Sequence, residues 1–329
     1  MTLLEKYIQY IGSVRRYSDR TVSIYETVLK EFCDAVLGED GYSDERLVDA
    51  LNVSELRSYE VSLMDNRKLA SKTVNQHLSV LSSFCTFLIK TGVINSNPIS
   101  LVTRPKQEKR LPEFYRKESM ETYWTTSEFF ASEESFQAFL QAPRSDSGKS
   151  LYESRLARLI INSLYSLGIR RSELIGMTVG SVDFGRKVVK IHGKGDKMRE
   201  IPLVASLSQE ILLYLKAVEA LCGEERSLKE PLLITESGRK LYPVYVDRAV
   251  KSELTGVQGL TGRKSPHVLR HSLATNLLDN EADLNSIKEL LGHSSLAATQ
   301  VYTHNSVAKL KAIYESAHPR AKSGGKNGE

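Results

Sequence analysis

One segment of this 329-residue chain reads as two strands joined by a turn. Lys187-Val-Val-Lys-Ile-His192 and Met198-Arg-Glu-Ile-Pro-Leu203 flank the turn Gly193-Lys-Gly-Asp-Lys197. Runs of this kind on either side of a glycine-rich turn specify a β-hairpin. Most of the remaining chain follows a helical period. Val74, Leu78, Leu81, Cys85 and Leu88, for instance, recur at spacings of four, three, four and three, which places them on one face of a helix. The expected fold class is therefore mainly α with a small antiparallel β-sheet.

Length and punctuation predict two domains. Residues 3–92 read as helices throughout, with Ser71 the expected N-cap of the last one and Asn95-Ser-Asn-Pro98 ending the run after Gly92. Residues 1–103 form the first expected domain. The stretch 104–112 is basic and proline-containing, the composition of an interdomain linker. The second domain is expected over 113–318, followed by a disordered tail over 319–329. Residues 119–150 are poorly patterned, with a surface loop expected at Ser145–Ser150. A helix is expected from Leu156 to Leu167, ended by Gly168, and a second near Ser172. Further helices are expected at about 205–221, 243–253, 267–279, 284–291, 295–303 and 306–317.

Composition excludes several classes. With 41% hydrophobic and 26% charged residues and nothing resembling a membrane span, the chain reads as a cytoplasmic protein with no membrane partner. Cys33, Cys85 and Cys222 fit neither a disulfide framework nor a zinc site, and are expected to be small buried apolar groups. The net charge of +5 is unevenly spread. Residues 1–103 hold 11 basic and 13 acidic side chains, and the remainder holds 34 and 27. The C-terminal two-thirds therefore suits a polyanion.

The candidate chemistry also lies there. His267 and Arg270 share one helical face at i and i+3, after Pro266 at a helix start. His267 and His271 have a metal-compatible spacing, but the glutamate of HExxH is missing and no metal is expected. Arg170 and Arg171 stand at a helix N-terminus, where the dipole disfavours cations. That position suggests an anion site, or else a salt bridge with Glu173 or a neighbour. Lys194 occupies the hairpin tip between two glycines, His293 follows Gly292, and Tyr302 lies nine residues further on. Gly148-Lys-Ser150 is not a P-loop, because Pro143 stands where that motif needs glycine.

Taken together, Gly168-Ile-Arg170-x-Ser-Glu-Leu174, Gly193-Lys194-Gly-x-Lys-x-Arg199, His267-x-x-Arg270-His-Ser-x-Ala-Thr275, and Leu291-Gly-His293 with Thr-Gln-x-Tyr302-Thr-His304 resemble the tyrosine recombinases. Among these the resemblance is to the Xer-type site-specific recombinases, along nearly the whole chain. It implies a two-domain C-shaped clamp on DNA, with a helical core-binding domain joined to a catalytic domain. It also implies that Tyr302 is the nucleophile of a 3′-phosphotyrosyl intermediate, and that Arg170, Lys194, His267, Arg270 and His293 surround the scissile phosphate. Arg171 is not part of the family's catalytic set. No cofactor is expected, since transfer of a phosphodiester to a hydroxyl and back conserves the bond.

Tyr17-Ser-Asp-Arg-Thr21 and Ser71-Lys-Thr-Val-Asn75 are similar to the family's core-binding domain. By that similarity alone, Arg20, Thr21, Lys72, Thr73 and Asn75 face DNA. The implied partner is double-stranded DNA with a short inverted repeat. The protein is expected to be a monomer in free solution and a tetramer on two sites, working with an identical copy or a related second recombinase, and with a DNA translocase as activator. The expected role is resolution of chromosome dimers. A mobile-element integrase, a type IB topoisomerase-like relaxing enzyme and a non-catalytic DNA binder are the alternatives.

Overall fold

The computed structural model describes residues 1–38, 42–106, 113–141, 150–193, 197–223, 225–292, 316–317 and 320. The chain divides into two compact units, Met1–Arg110 and Leu111–Glu329.

In the first unit the described helices are α1 (Leu3–Gln9), α2 (Asp19–Leu37), α3 (Asp44–Ala50), α4 (Val53–Val61) and α5 (Ser71–Lys90). Thr2, Ser18, Ser43 and Asn52 each accept a hydrogen bond from an N–H of the first turn they precede, so each of the first four helices starts on a side-chain cap. The fifth does not. Ala70, rather than the expected Ser71, is the cap residue of α5: its carbonyl already accepts the Val74 N–H at 3.1 Å, and Ser71 is the first helical residue. The predicted stripe Val74, Leu78, Leu81, Cys85 and Leu88 is fully buried, against Tyr7, Phe32, Leu56 and Phe84.

The second unit is built around α8 (Leu151–Leu167), which is buried on almost every side and packs against α10 (Ala205–Cys222), α11 (Pro243–Leu254) and α12 (Pro266–Asp279). It begins five residues before the expected Leu156, because Ser150 accepts the Glu153 N–H at 3.1 Å and caps it. Gly168 ends it in the left-handed conformation, as expected. Short α9 (Arg171–Gly176) follows, and α13 (Leu284–Leu291) closes the described helices. The helices expected at 295–303 and 306–317 lie outside the described residues, apart from helical Ser316 and Ala317.

The hairpin forms as β2 (Val188–His192) and β3 (Met198–Pro202), with Ile191 opposite Arg199 and His192 opposite Met198. A two-residue strand β1 (Val182–Asp183), too short to alternate visibly, adds to β2, and all three strands run antiparallel in the order β1-β2-β3. The expected fold class is therefore the observed one.

Two expectations need correction. The segment that gave no helical pattern holds most of α6 (Lys117–Thr126) and all of α7 (Glu133–Gln141), which bury Met120, Tyr123, Trp124, Phe136 and Phe139 in the core. Helices this short have little stability of their own and are held by the surface they cover. Residues 142–149, which include most of the expected loop, lie outside the described set. Cys33 and Cys85 are buried as expected, whereas Cys222 is exposed at the end of α10.

The buried polar residues concentrate around α8. Arg158 meets Glu210 through Nε at 2.9 Å and Nη2 at 2.8 Å. Arg320, within the stretch expected to be a disordered tail, lies with its guanidinium 4.0 Å from the Trp124 ring centre. Among the described residues no helix is long and apolar enough to cross a membrane.

Candidate active site

Gly168 turns the chain sharply after α8, and its close neighbours explain why glycine is needed there. At φ +58°, an added Cβ would sit 2.8 Å from Leu273 Cδ2 and 2.9 Å from Leu291 Cδ2. The turn delivers Arg170 to the position just before α9. There Glu173, on the first turn of α9, reaches back to accept the Arg170 backbone N–H at 2.8 Å. The other Glu173 oxygen accepts Arg170 Nη1 at 2.8 Å.

Arg170 is thus ion-paired to Glu173, one of the two readings open from sequence, while its second guanidinium nitrogen turns elsewhere. Nη2 donates to the Gly292 carbonyl at 3.1 Å, at the C-terminus of α13. This resolves the awkward placement of a cation before a helix, because the charge is directed at the negative end of a different one. Arg171 instead pairs with Asp247 on α11.

Arg270 and Arg199 converge on the same helix end. Arg270 donates to the carbonyls of Gly168 and Leu291, so it joins the C-termini of α8 and α13. Arg199 donates from Nε to the Leu290 carbonyl at 2.9 Å. The three successive carbonyls of Leu290, Leu291 and Gly292, at the C-terminal end of α13, are each met by a different arginine. Arg199 also makes a two-pronged pair with Glu173, through Nη1 at 3.0 Å and Nη2 at 2.8 Å.

The electrostatics follow from this crowding. Burial alone would raise the Glu173 carboxyl, but hydrogen bonds from Arg199 and from the Arg170 backbone, with the Arg199 charge, hold it below the ordinary glutamate value. Burial, and after it the charge of Arg170, lowers the Arg270 guanidinium to about 10. Arg270 therefore remains a cation at neutral pH, 8% exposed, beside a second arginine that is partly open. Two neighbouring guanidinium cations can neutralise charge on nonbridging phosphate oxygens.

His267 occupies the first turn of α12 and is exposed, whereas Arg270, one turn on, is buried. Lys194, His293 and Tyr302 lie outside the described residues. The residues just before the first two, Gly193 and Gly292, are described, and both abut Arg199. An added Cβ would lie 3.4 Å from Arg199 Nη1 at Gly193 and 3.1 Å from it at Gly292, where φ is +62°. Sequence reasoning quoted Glu173 and Arg199 without giving either a function. The visible signal was their place within the motifs around Arg170 and Lys194.

Of the residues expected at DNA in the first unit, Arg20 and Lys72 are exposed and Thr73 is half-buried. Thr21 is engaged at the start of α2, its backbone N–H donating to the Ser18 hydroxyl at 3.3 Å. Asn75 is buried, and its amide donates to the Pro105 carbonyl at 2.9 Å. Arg104 donates to the Ser79 hydroxyl at 2.8 Å. Lys72, Asn75, Gln76, Ser79, Arg104 and Pro105 together line a shallow cleft.

The phage integrase family matches residues 130–309, and its N-terminal SAM-like domain matches residues 4–92. The chain belongs to the phage integrase family of tyrosine recombinases. It is 32% identical to the tyrosine recombinase XerC of Chlorobaculum parvum over 97% of this chain and 94% of the relative. It is 34% identical to XerC of Listeria innocua over 97% of this chain and 98% of that one. Among solved structures, XerH bound to a palindromic difH substrate in a post-cleavage complex shares the fold, with a TM-score of 0.62 and 19% identity, covering 95% of this chain and 83% of that one. A λ integrase tetramer bound to a Holliday junction gives a TM-score of 0.59 and 18% identity, covering 92% of this chain and 79% of the other.

Proposed function

We propose that this tyrosine recombinase cleaves and rejoins DNA at a short inverted repeat, with Tyr302 as nucleophile and Arg170, Lys194, His267, Arg270 and His293 as the catalytic groups. The observation that carries the reading is the convergence of Arg170 and Arg270 on the end of α13, one residue before His293. In the forward step the Tyr302 phenol gives up its proton, with His267 as acceptor. The phenolic oxygen then bonds to phosphorus as the bond to the 5′ oxygen breaks. Arg170, Arg270 and His293 neutralise the nonbridging oxygens, and the Lys194 ammonium protonates the leaving 5′ oxygen. Attack by the 5′ hydroxyl of a partner strand reverses each transfer and frees Tyr302, so bond energy is conserved without ATP or metal.

The DNA partner and the assembly are supported by the solved structures that share the fold, which include a recombinase on a palindromic site and a tetramer on a Holliday junction. On this reading both units bind the duplex, with 104–112 as the linker, and the first unit presents Arg20, Thr21, Lys72, Thr73 and Asn75 to it. Four protomers, identical or shared with a related recombinase, act on two sites in the cytoplasm, with a DNA translocase as activator. The similarity to XerC proteins over nearly full length supports resolution of chromosome dimers.

The test is to mix wild type and Tyr302→Phe with fragmented genomic DNA, denature in detergent, and sequence the DNA that stays bound. Adducts in the wild type alone, concentrated at one inverted repeat, are the expected result. Adducts from Tyr302→Phe would remove the nucleophile assignment. Wild-type adducts without sequence preference would indicate a relaxing enzyme, and a repeat bordering a mobile element would indicate an integrase.

A further inference from the structure

We propose that Arg199 is a positioning residue for strand cleavage. Its guanidinium locks the base of the hairpin, the carboxylate behind Arg170 and the end of α13 into one rigid frame, and so sets where Lys194 and His293 leave that frame. The inference rests on the catalytic roles proposed for those residues.

Three observations carry it. First, Arg199 is 5% exposed, and each of its three guanidinium nitrogens makes a hydrogen bond, two to Glu173 and one to the Leu290 carbonyl. Second, Glu173 is the same carboxylate that orients Arg170 from backbone and side chain. Movement of Arg199 therefore reaches Arg170 through a single shared group. Third, the glycines immediately before Lys194 and His293 both lie against Arg199 Nη1: an added Cβ would press on it at 3.1 Å from Gly292 and touch it at 3.4 Å from Gly193. The hairpin base is pinned further by the Gly193 N–H, which donates to the Lys197 carbonyl at 2.8 Å.

A planar fork is needed for this geometry. An ammonium in the same place keeps the charge beside Glu173 but cannot hold a carboxylate in two prongs and reach a carbonyl on its third side. Arg199→Lys is therefore as informative as Arg199→Met, and it is the variant to rely on if the methionine substitution unfolds the protein.

The experiment is single-turnover cleavage of a nicked duplex carrying the recovered inverted repeat. It is run with an ordinary scissile phosphate and with sulfur replacing the bridging 5′ oxygen. A sulfur leaving group departs without being protonated, so it relieves the need for a placed Lys194. On the oxygen substrate both Arg199 variants are expected to cleave about 100-fold more slowly than wild type, the scale of a misplaced catalytic group. DNA affinity and reaction amplitude should stay within about twofold of wild type, and the defect should shrink about tenfold on the sulfur substrate.

A purely stabilising role would lower the amplitude and leave the rate constant alone, and that result would overturn the proposal. An equal defect on both substrates, or a wild-type rate constant in Arg199→Lys, would also overturn it. Lys194→Met serves as the control. If sulfur fails to rescue it, the general-acid assignment falls, which is a separate failure from that of Arg199.

Discussion

At the scale of single residues, Glu173 is the node of the site. It receives four hydrogen bonds from two arginines, and those partners keep it ionised below the ordinary glutamate range despite burial. A carboxyl depressed on folding adds stability that is complete above its unfolded value and is lost as pH falls through the folded value. Glu173→Gln is therefore expected to be less stable than wild type at pH 7. The gap should narrow in urea melts as pH drops below the ordinary glutamate value near 4.5. A gap that stays constant down to pH 3.5 would show that the carboxylate charge contributes nothing. The residue types behind the site were visible in sequence because motif spacing names them. The local pair of Arg170 with Glu173 was one of two readings open there, but the Arg199 contacts were not, since Glu173, Arg199 and Leu290 meet only after three distant segments come together.

Between elements, one close fit lies at the end of α8. The α8–α9 turn depends on Gly168, where a methyl group would meet Leu273 and Leu291 at under 3 Å and would also occupy a left-handed backbone. Gly168→Ala is expected to cost about 1–3 kcal/mol, combining backbone strain with overpacking, measured by denaturant unfolding. Because Arg270 grips the Gly168 carbonyl, the same change should slow cleavage as well as lower stability. Deeper in the unit, α8 and α10 share the Arg158–Glu210 pair, with both side chains under 5% exposed. Removing Arg158 as Arg158→Met leaves a carboxylate buried without that partner, and breaking such a pair costs about 3–5 kcal/mol. An unfolding midpoint unchanged from wild type would refute the importance of the pair. α6 and α7 were illegible in sequence because each is short and shows only a partial apolar face.

For the whole molecule, assembly is the open property. The proposed reaction needs two DNA sites held together, so the protein is expected to sediment as a monomer when free. It should form a four-protomer complex only when the recovered inverted repeat is present at two duplexes per tetramer. A stable tetramer without DNA would contradict this. Binding should weaken steeply with added salt, since contacts from lysine and arginine to phosphates release counterions.

The amino-acid sequence alone carried the fold class, because strand runs about a glycine-rich turn and helical spacing are local patterns that survive without knowledge of neighbours. It also carried the family, because a nucleophile and its cations at set intervals form a pattern along one dimension. Tertiary structure decided the rest. Only folding brings carbonyls 290, 291 and 292 within reach of arginines 199, 270 and 170, and these contacts join groups 91, 21 and 122 residues apart. It also decided that short α6 and α7 are helices, since the core they cover supplies the energy their own length lacks.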